Sequence, residues 1–212
     1  MEHPSIKIKH TPGKRLFDIV FSVFVLIAWA PLFVLISLAI RLSSSGKVIY
    51  SHERIGRGAK PFRCYKFRTM YKDAESRLQE LLDKNTELSE EWRLNRKLKN
   101  DPRVTPIGKF LRKTSLDELP QFWNVLKGEL STVGPRPVVR EEVTHYLGEK
   151  AEKILSIRPG LTGIWQVSGR NDTSYQMRMC LDEKYVDEHS LFLDLWLILK
   201  TIPKMIFSKG AY

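Results

Sequence analysis

The stretch richest in chemical groups is Ser115-Leu116-Asp117-Glu118-Leu119-Pro120, with Arg112 and Lys113 just upstream. Two adjacent acids beside two cations suit metal and phosphate chemistry, because carboxylates bind Mg2+ directly and one can attack phosphorus as a nucleophile. The same residues also spell a capping box, S-x-x-E, with Ser115 as the cap and Glu118 reaching back. Pro120 weighs against the box, since a proline at the fifth helical position disrupts the first turn. Asp117 and Glu118 are the candidate catalytic residues and metal ligands.

Arginines in rigid or tight turns form the second set. In Gly134-Pro135-Arg136-Pro137 two prolines fix the backbone around one guanidinium, whose planar fork binds phosphate with little further loss of entropy. Arg158 precedes Pro159-Gly160, and Arg170 sits between Gly169 and Asn171, in loops of the kind that carry binding groups. Each alone also reads as an ordinary surface arginine. Trp165 reads as packing rather than a stacking platform. No P-loop, dinucleotide fingerprint after a strand or HExxH occurs, and five scattered histidines give no metal spacing. Cys64 and Cys180 lie far apart and read as reduced thiols without nucleophilic chemistry.

These groups have to be held near a charged or lipid surface. Thirty-five Lys and Arg against 24 Asp and Glu give a net charge of +11, which favours polyanionic partners. Residues 19–40 carry no charge; at about 1.5 Å per residue they would reach roughly 33 Å, enough for a bilayer core. A signal peptide fits poorly, because no cleavage site follows the run. Pro31 interrupts it, predicting two arms of roughly 10 to 12 residues. Basic residues flank both ends: Lys7, Lys9, Lys14 and Arg15 before, then Arg41, Lys47, Arg54 and Arg57 after. Such flanks stay cytoplasmic, so the pattern predicts a re-entrant helix, with a Pro-kinked span as the alternative. Asp18 is expected to match the helix start, and Lys14 and Arg15 to meet lipid headgroups.

Beyond the run, Val48–Ser51 and Phe62–Phe67 around Gly56-Arg57-Gly58 predict a small β-hairpin. Residues 73–100 predict one or two amphipathic helices, with Leu78, Leu81, Leu82, Leu88 and Trp92 as the apolar stripe. Helices are also expected over Glu141–Leu155 and Tyr175–Glu188. The apolar tail Leu191–Phe207 predicts an interfacial helix, with Trp196 at headgroup level and Lys200, Lys204 and Lys209 reaching outward. The fold class expected is α+β and predominantly helical, divided into residues 1–41 as the membrane segment and 42–212 as the catalytic domain.

Taken together, the motifs resemble the bacterial sugar transferase family, the monotopic polyprenyl-phosphate phosphoglycosyl transferases. The matching pieces are Lys14-Arg15-Leu16-Phe17-Asp18, Pro31, Tyr65-Lys66-Phe67-Arg68-Thr69-Met70 and Ser115 to Gln121. Gly134 to Pro137, Arg158 to Gly163 and Ser168 to Asn171 complete the series, in the family's order and over nearly the whole chain from residue 14. The resemblance implies a re-entrant helix broken near Ala30-Pro31, a catalytic domain on the cytoplasmic face of the bacterial inner membrane, and ping-pong chemistry with Mg2+. It implies that Asp117 attacks the β-phosphorus of a UDP-sugar, that Glu118 helps hold Mg2+, and that Arg112, Arg136 and Arg170 contact phosphates or uridine. Lys66 and Arg158 join them as substrate-binding residues. The partners implied are a UDP-sugar (galactose or glucose favoured), polyprenyl phosphate and membrane lipids, with a homodimer compatible and nucleic acid not expected. The contrasting reading is a basic, membrane-anchored adaptor without catalysis. It accounts for charge and anchor but leaves the Asp117-Glu118 pair idle.

Overall fold

The computed structural model describes residues 12–95, 98, 101–168 and 174–206. Helices α1 (Pro12–Ala28) and α2 (Ala30–Ser43) meet at an angle of 61°. The break falls at Trp29, and Pro31 lies in the first turn of α2. A proline there has no N–H for the Ile27 carbonyl and its ring would strike it, so the chain turns just upstream. The arms have 17 and 14 residues, longer than the sequence predicted, because α1 starts before the apolar run. At about 1.5 Å per residue neither arm covers a ~30 Å hydrocarbon core, and no single helix among the described residues is long and apolar enough to cross a membrane.

Strands β1 (Ile49–Ile55) and β2 (Pro61–Phe67) form the expected antiparallel hairpin, with Tyr50 opposite Lys66. Its turn closes through the Gly56 amide on the Lys60 carbonyl, with Gly58 at φ 67°. Helices α3 (Ala74–Lys84) and α4 (Thr86–Asn95) follow, then α5 (Pro106–Thr114) and α6 (Gln121–Lys127). A second two-stranded sheet, parallel, joins β3 (Ser131–Val133) to β4 (Gly160–Thr162). The helix expected over Glu141–Leu155 is broken into α7 (Arg140–Glu142), a π turn at Val143–Leu147, a 3-10 turn and α8 (Ala151–Ile154). Gly148, at φ 49° in that run, stops a continuous helix. Helices α9 (Ile164–Ser168), α10 (Tyr175–Glu188) and α11 (Leu191–Ile206) complete the described chain.

The bent α1–α2 pair is not detached from the rest of the fold. Ile36 and Ile40 of α2 are buried against Phe67 of β2, Leu111 of α5 and Leu119, so one hydrophobic cluster joins α2 to the turn that bears Asp117. Each such side chain stabilises the fold by about 1.5–3 kcal/mol when fully buried. The opposite sides of α1 and α2 expose Val20, Phe24, Ile27, Leu35 and Leu42, and α11 exposes Phe192 and Leu199. An apolar surface of that extent is far beyond what scattered exposure produces.

Candidate active site

Helix α5 starts with Thr105 accepting the Gly108 amide at 2.9 Å and with Pro106 in the first turn. It ends at Ser115, which turns left-handed at φ 56° and sends its amide back to the Arg112 carbonyl. Ser115 therefore closes one helix rather than capping the next, and the capping box is not formed: its side chain makes no cap hydrogen bond. A 3-10 turn, Leu116–Glu118, follows, and α6 restarts after Pro120. The proline in the fifth position thus splits what would have been one helix and leaves the two acids in the tight turn between.

Lys66 on β2 meets both carboxylates, at 2.6 Å from Glu118 Oε1 and 3.8 Å from Asp117 Oδ2. Burial works against its ammonium, yet Glu118 and Asp117 outweigh that and hold its pKa above the ordinary lysine value. Asp117 is buried, and burial pushes its carboxyl up to about 6, Glu118 adding to the rise while Lys66 and Arg112 oppose it. The strand carrying Lys66 is tied to α6 by Asn124, which is fully buried. Its side chain accepts the Tyr65 amide at 3.0 Å and donates to the Arg63 carbonyl at 2.7 Å. Arg112, in the last turn of α5, donates from Nε to Thr69 Oγ1 at 3.0 Å and is close enough to feel the charge of Asp117.

Arg136 reaches the pair from another side, close enough for Glu118 to act on its charge. Its Nε is buried without a partner among the described residues, and burial together with Arg178 lowers its pKa. Close backbone approach places it. Gly134 and Gly160 face each other across β3 and β4 so tightly that a Cβ on either would strike the other's main chain. The Gly160 amide donates to the Pro135 carbonyl at 2.8 Å. The glycines of Gly134-Pro135 and Pro159-Gly160 thus form a single contact.

Behind Arg136 runs a ladder of rings and guanidinium groups. Arg136 and Arg178 lie 5.1 and 5.2 Å from the centre of Trp165, Arg178 also lies 4.6 Å from Tyr175, and the rings of Tyr175 and Tyr146, tilted by 30°, are 4.3 Å apart. Trp165 is buried, as expected of a packing residue, but it also serves as a cation–π platform. Glu142 joins the group, 3.5 Å from Arg178 and 4.0 Å from Arg54, and accepts the Val139 amide at 2.9 Å. Asp182 of α10 is buried beside Arg178 and the Arg136 main chain; burial raises its carboxyl to about 7 against the pull of both arginines.

Asp182, Arg178 and Glu142 carried no motif signal, since charged residues in helical stretches read as solvated surface. Only the absence of an amphipathic pattern over Tyr175–Glu188 hinted that polar residues there face inward.

Other expected site residues lie elsewhere. Arg158 donates from Nε to the Gly128 carbonyl at 2.8 Å, and its charged neighbours are Arg57, Arg15 and Asp18, not the carboxylate pair. Arg170 lies outside the described residues, as does Lys209. Lys14, Arg15 and Asp18 turn inward instead of toward headgroups. Lys14 pairs with Asp194 at 2.6 Å, and Arg15 donates to the Val125 and Leu126 carbonyls at 2.6 and 2.8 Å. Asp18 does not sit at a helix start; it is buried within α1, accepting from Ser131 Oγ and the Thr132 amide. At the C-terminal end of α6 the Gly128 amide serves Asn124 and Val125 but leaves the Leu126 carbonyl to Arg15, and the Thr132 amide of β3 goes to Asp18; buried backbone groups need partners that water cannot supply. On α11, Lys200 extends over the exposed Trp196 at 5.3 Å.

The family described as bacterial sugar transferase has a model that matches residues 9–208. The chain is 49% identical over 200 residues to the exopolysaccharide production protein ExoY of Sinorhizobium fredii, covering 94% of this chain and 88% of that one. It is 46% identical over 199 residues to the undecaprenyl-phosphate galactose phosphotransferase of Salmonella typhimurium, covering 94% of this chain but 41% of the relative. Over 211 residues it is 38% identical to the undecaprenyl-phosphate glucose phosphotransferase of Komagataeibacter xylinus, covering 94% and 37%. A family match that spans every described element, with relatives of 38–49% identity, leaves one conclusion: the chain belongs to the bacterial sugar transferase family and is a phosphoglycosyl transferase.

Proposed function

We propose that this enzyme moves a hexose 1-phosphate from a UDP-sugar to polyprenyl phosphate, as the first step in assembling an exopolysaccharide or related glycan. Membership in the family sets the adaptor reading aside. The relatives named for galactose and glucose phosphotransfer to undecaprenyl phosphate favour one of those two sugars.

The observation that carries the reading is Asp117, a buried carboxylate with Glu118 at its side and one ammonium, Lys66, facing both. In the first half-reaction a carboxylate oxygen of Asp117 bonds to the β-phosphorus of the donor, and the phosphorus–oxygen bond to the α-phosphate breaks. UMP leaves with that electron pair, and the phosphosugar stays on Asp117 as an acyl phosphate. In the second, an oxygen of polyprenyl phosphate bonds to the same phosphorus and Asp117 departs as a carboxylate. Lys66, Arg112 and Arg136 offset the charge of donor, acceptor and carboxylates, which could not share a poorly solvated site otherwise. The unpartnered Nε of Arg136 is a donor ready for a phosphate oxygen. Arg170 is retained as a further phosphate or uridine contact on resemblance alone.

Among the described residues no three His, Cys, Asp or Glu side chains gather as a metal cage. Mg2+ needs none, because it commonly takes one or two carboxylates and completes its shell with water and substrate phosphate, a donor set that Glu118 and Asp117 fit. Bound there, it would neutralise diphosphate charge.

We read the bent α1–α2 pair as re-entrant and the exposed apolar sides of α1, α2 and α11 as seated in the cytoplasmic face of the bacterial inner membrane. The polar turn Ser43–Lys47 then returns to the side from which α1 enters.

The test is UMP release from a panel of UDP-sugars with Mg2+ and undecaprenyl phosphate, in wild type and Asp117→Asn. Release by wild type with one donor and loss in the variant is expected. No release with any donor sinks the proposed reaction, and an active variant moves the nucleophile elsewhere.

A further inference from the structure

An open cavity of about 550 Å3 is lined by Arg41, Ser45, Gly46 and Lys47 where α2 ends, and none of the residues around Asp117 lines it. Arg68 grips the same turn, donating to the Ser45 carbonyl at 2.5 Å and to the Ser44 carbonyl and hydroxyl at 2.7 and 2.9 Å. Its guanidinium lies where a Cβ on Gly46 would stand, with the Lys72 side chain beside it, and Gly46 has φ 113°. The glycine is required there for both backbone and space. Four cations, Arg41, Lys47, Arg68 and Lys72, thus surround one turn, and among the described residues none forms an ion pair with a carboxylate. The Nε of Arg68 is buried without a partner. Like charges crowded this way repel unless an anion joins them.

The cavity also sits at a particular depth. Leu35, Leu38 and Leu42 extend the exposed apolar side of α2 to its last turn, where Leu42 is 87% exposed beside the exposed Arg41. The cations begin where the apolar surface stops, which is the level of lipid headgroups if that surface lies in a bilayer.

We propose that the α2–β1 turn is a binding site for the headgroup phosphate of an acidic membrane phospholipid. Arg41 and Lys47 clasp the phosphodiester, the Ser44 and Ser45 segment held by Arg68 forms the rest of the cradle, and the acyl chains run along Leu38 and Leu42. The proposal rests on the bilayer seating given above. It assigns the lipid a place separate from the carboxylate pair, so that the bound headgroup fixes the depth of α2 and, through Ile36 and Ile40, of the turn bearing Asp117.

The test uses the full chain purified in detergent, with vesicles of phosphatidylcholine alone or mixed equally with phosphatidylglycerol. Arg41→Gln/Lys47→Gln is compared with Lys200→Glu, which changes the charge by the same amount on the membrane side of α11. Near an anionic surface each cation contributes about fivefold to binding, so undirected attraction would lower the affinity of both variants alike. A site predicts a loss for the double variant at least about tenfold larger than for Lys200→Glu, with one phosphatidylglycerol retained per wild-type chain in native mass spectrometry and none in the double variant. Equal losses overturn the site. If inorganic phosphate abolishes the preference for phosphatidylglycerol, the site is one for free phosphate and the lipid assignment falls. Wild type that binds neither vesicle overturns the bilayer seating and the site with it, while UMP release tests the chemistry separately. Arg41 and Lys47 are exposed and bond to nothing among the described residues, so unchanged thermal unfolding verifies the fold of the double variant.

Discussion

Lys14 donates a 2.6 Å hydrogen bond to Asp194 across 180 residues of chain, joining the first helix to the last. Asp194 has no exposed surface and also accepts the Tyr185 hydroxyl at 2.6 Å. Asp18, buried as well, lies 4.0 Å from the same ammonium. One cation therefore answers two buried carboxylates. Removing it in Lys14→Met leaves Asp194 buried without a cation, at a cost of about 3–5 kcal/mol. Adding Asp194→Asn should restore part of the loss, and a double-mutant cycle on thermal unfolding in nanodiscs measures the coupling. Additive losses would mean that the pair does not couple.

The contact between Gly134 and Gly160 leaves no room for a methyl group. Gly160→Ala is expected to cost about 3 kcal/mol or more, at the upper end for overpacking, and to abolish activity by displacing Arg136. Gly13→Ala, in a helix with nothing within 4 Å of the new methyl, should be neutral or stabilising by up to about 1 kcal/mol. Similar melting temperatures for the two variants would contradict the packing.

Asp182 gives a pH signature. Its carboxyl is raised to about 7 when folded, above an unfolded value near 3.9. The folded state then holds the proton more tightly, so this contribution is complete below about pH 4 and is lost as pH rises through about 7. Wild type should lose stability relative to Asp182→Asn between pH 5 and pH 8, by an amount on the order of a few kcal/mol. Parallel unfolding curves for the two proteins over that range would exclude the shift.

Lys66 lowers the pKa of Asp117 while burial raises it. Lys66→Met removes the opposing charge, so Asp117 needs a higher pH to ionise. The acid limb of kcat/KM should move upward from its wild-type position, with kcat at the optimum reduced roughly 10- to 1000-fold as for loss of one electrostatic donor. A lowered rate with an unmoved limb would leave Lys66 a phosphate contact with no influence on the nucleophile.

The bend at Trp29 predicts that both ends of the membrane pair face the cytoplasm. In a Cys180→Ser background, since Cys180 is exposed and Cys64 buried, cysteines at positions 5 and 47 should label from the same side in oriented vesicles. Labelling from opposite faces would convert the pair into a span. Pro31→Leu should straighten it and produce that second pattern.

Local signals in the sequence were readable. The hairpin follows from its turn residues, and the helix Tyr175–Glu188 lies over its expected span, capped by Ser174, which accepts the Met177 amide. Lys66, Arg112 and Arg136 each lie within electrostatic reach of Asp117 or Glu118. What stayed hidden depends on distant partners. A parallel pair of three-residue strands has no periodicity of its own. Asp18, Asp182 and Asp194 sit in helices where an acid usually faces water, and only the folded neighbours show that they do not. Lys14 and Arg15 read as lipid-facing because the carbonyls at the end of α6 and buried Asp194, more than a hundred residues away, are invisible locally.

The tie between Lys14 and Asp194 also sets an order of assembly. During synthesis α1 precedes its partners, so Asp18 and Lys14 lack theirs until β3 and then α11 emerge. A nascent α1–α2 pair can therefore dock on α5, α6 and β3 as these appear, but the tie that closes it waits for α11. Closing a loop over so long a separation costs more entropy than closing a short one, so the end of α1 that bears Lys14 is fixed late, and truncation before residue 194 should leave it an open hook exposed to proteolysis.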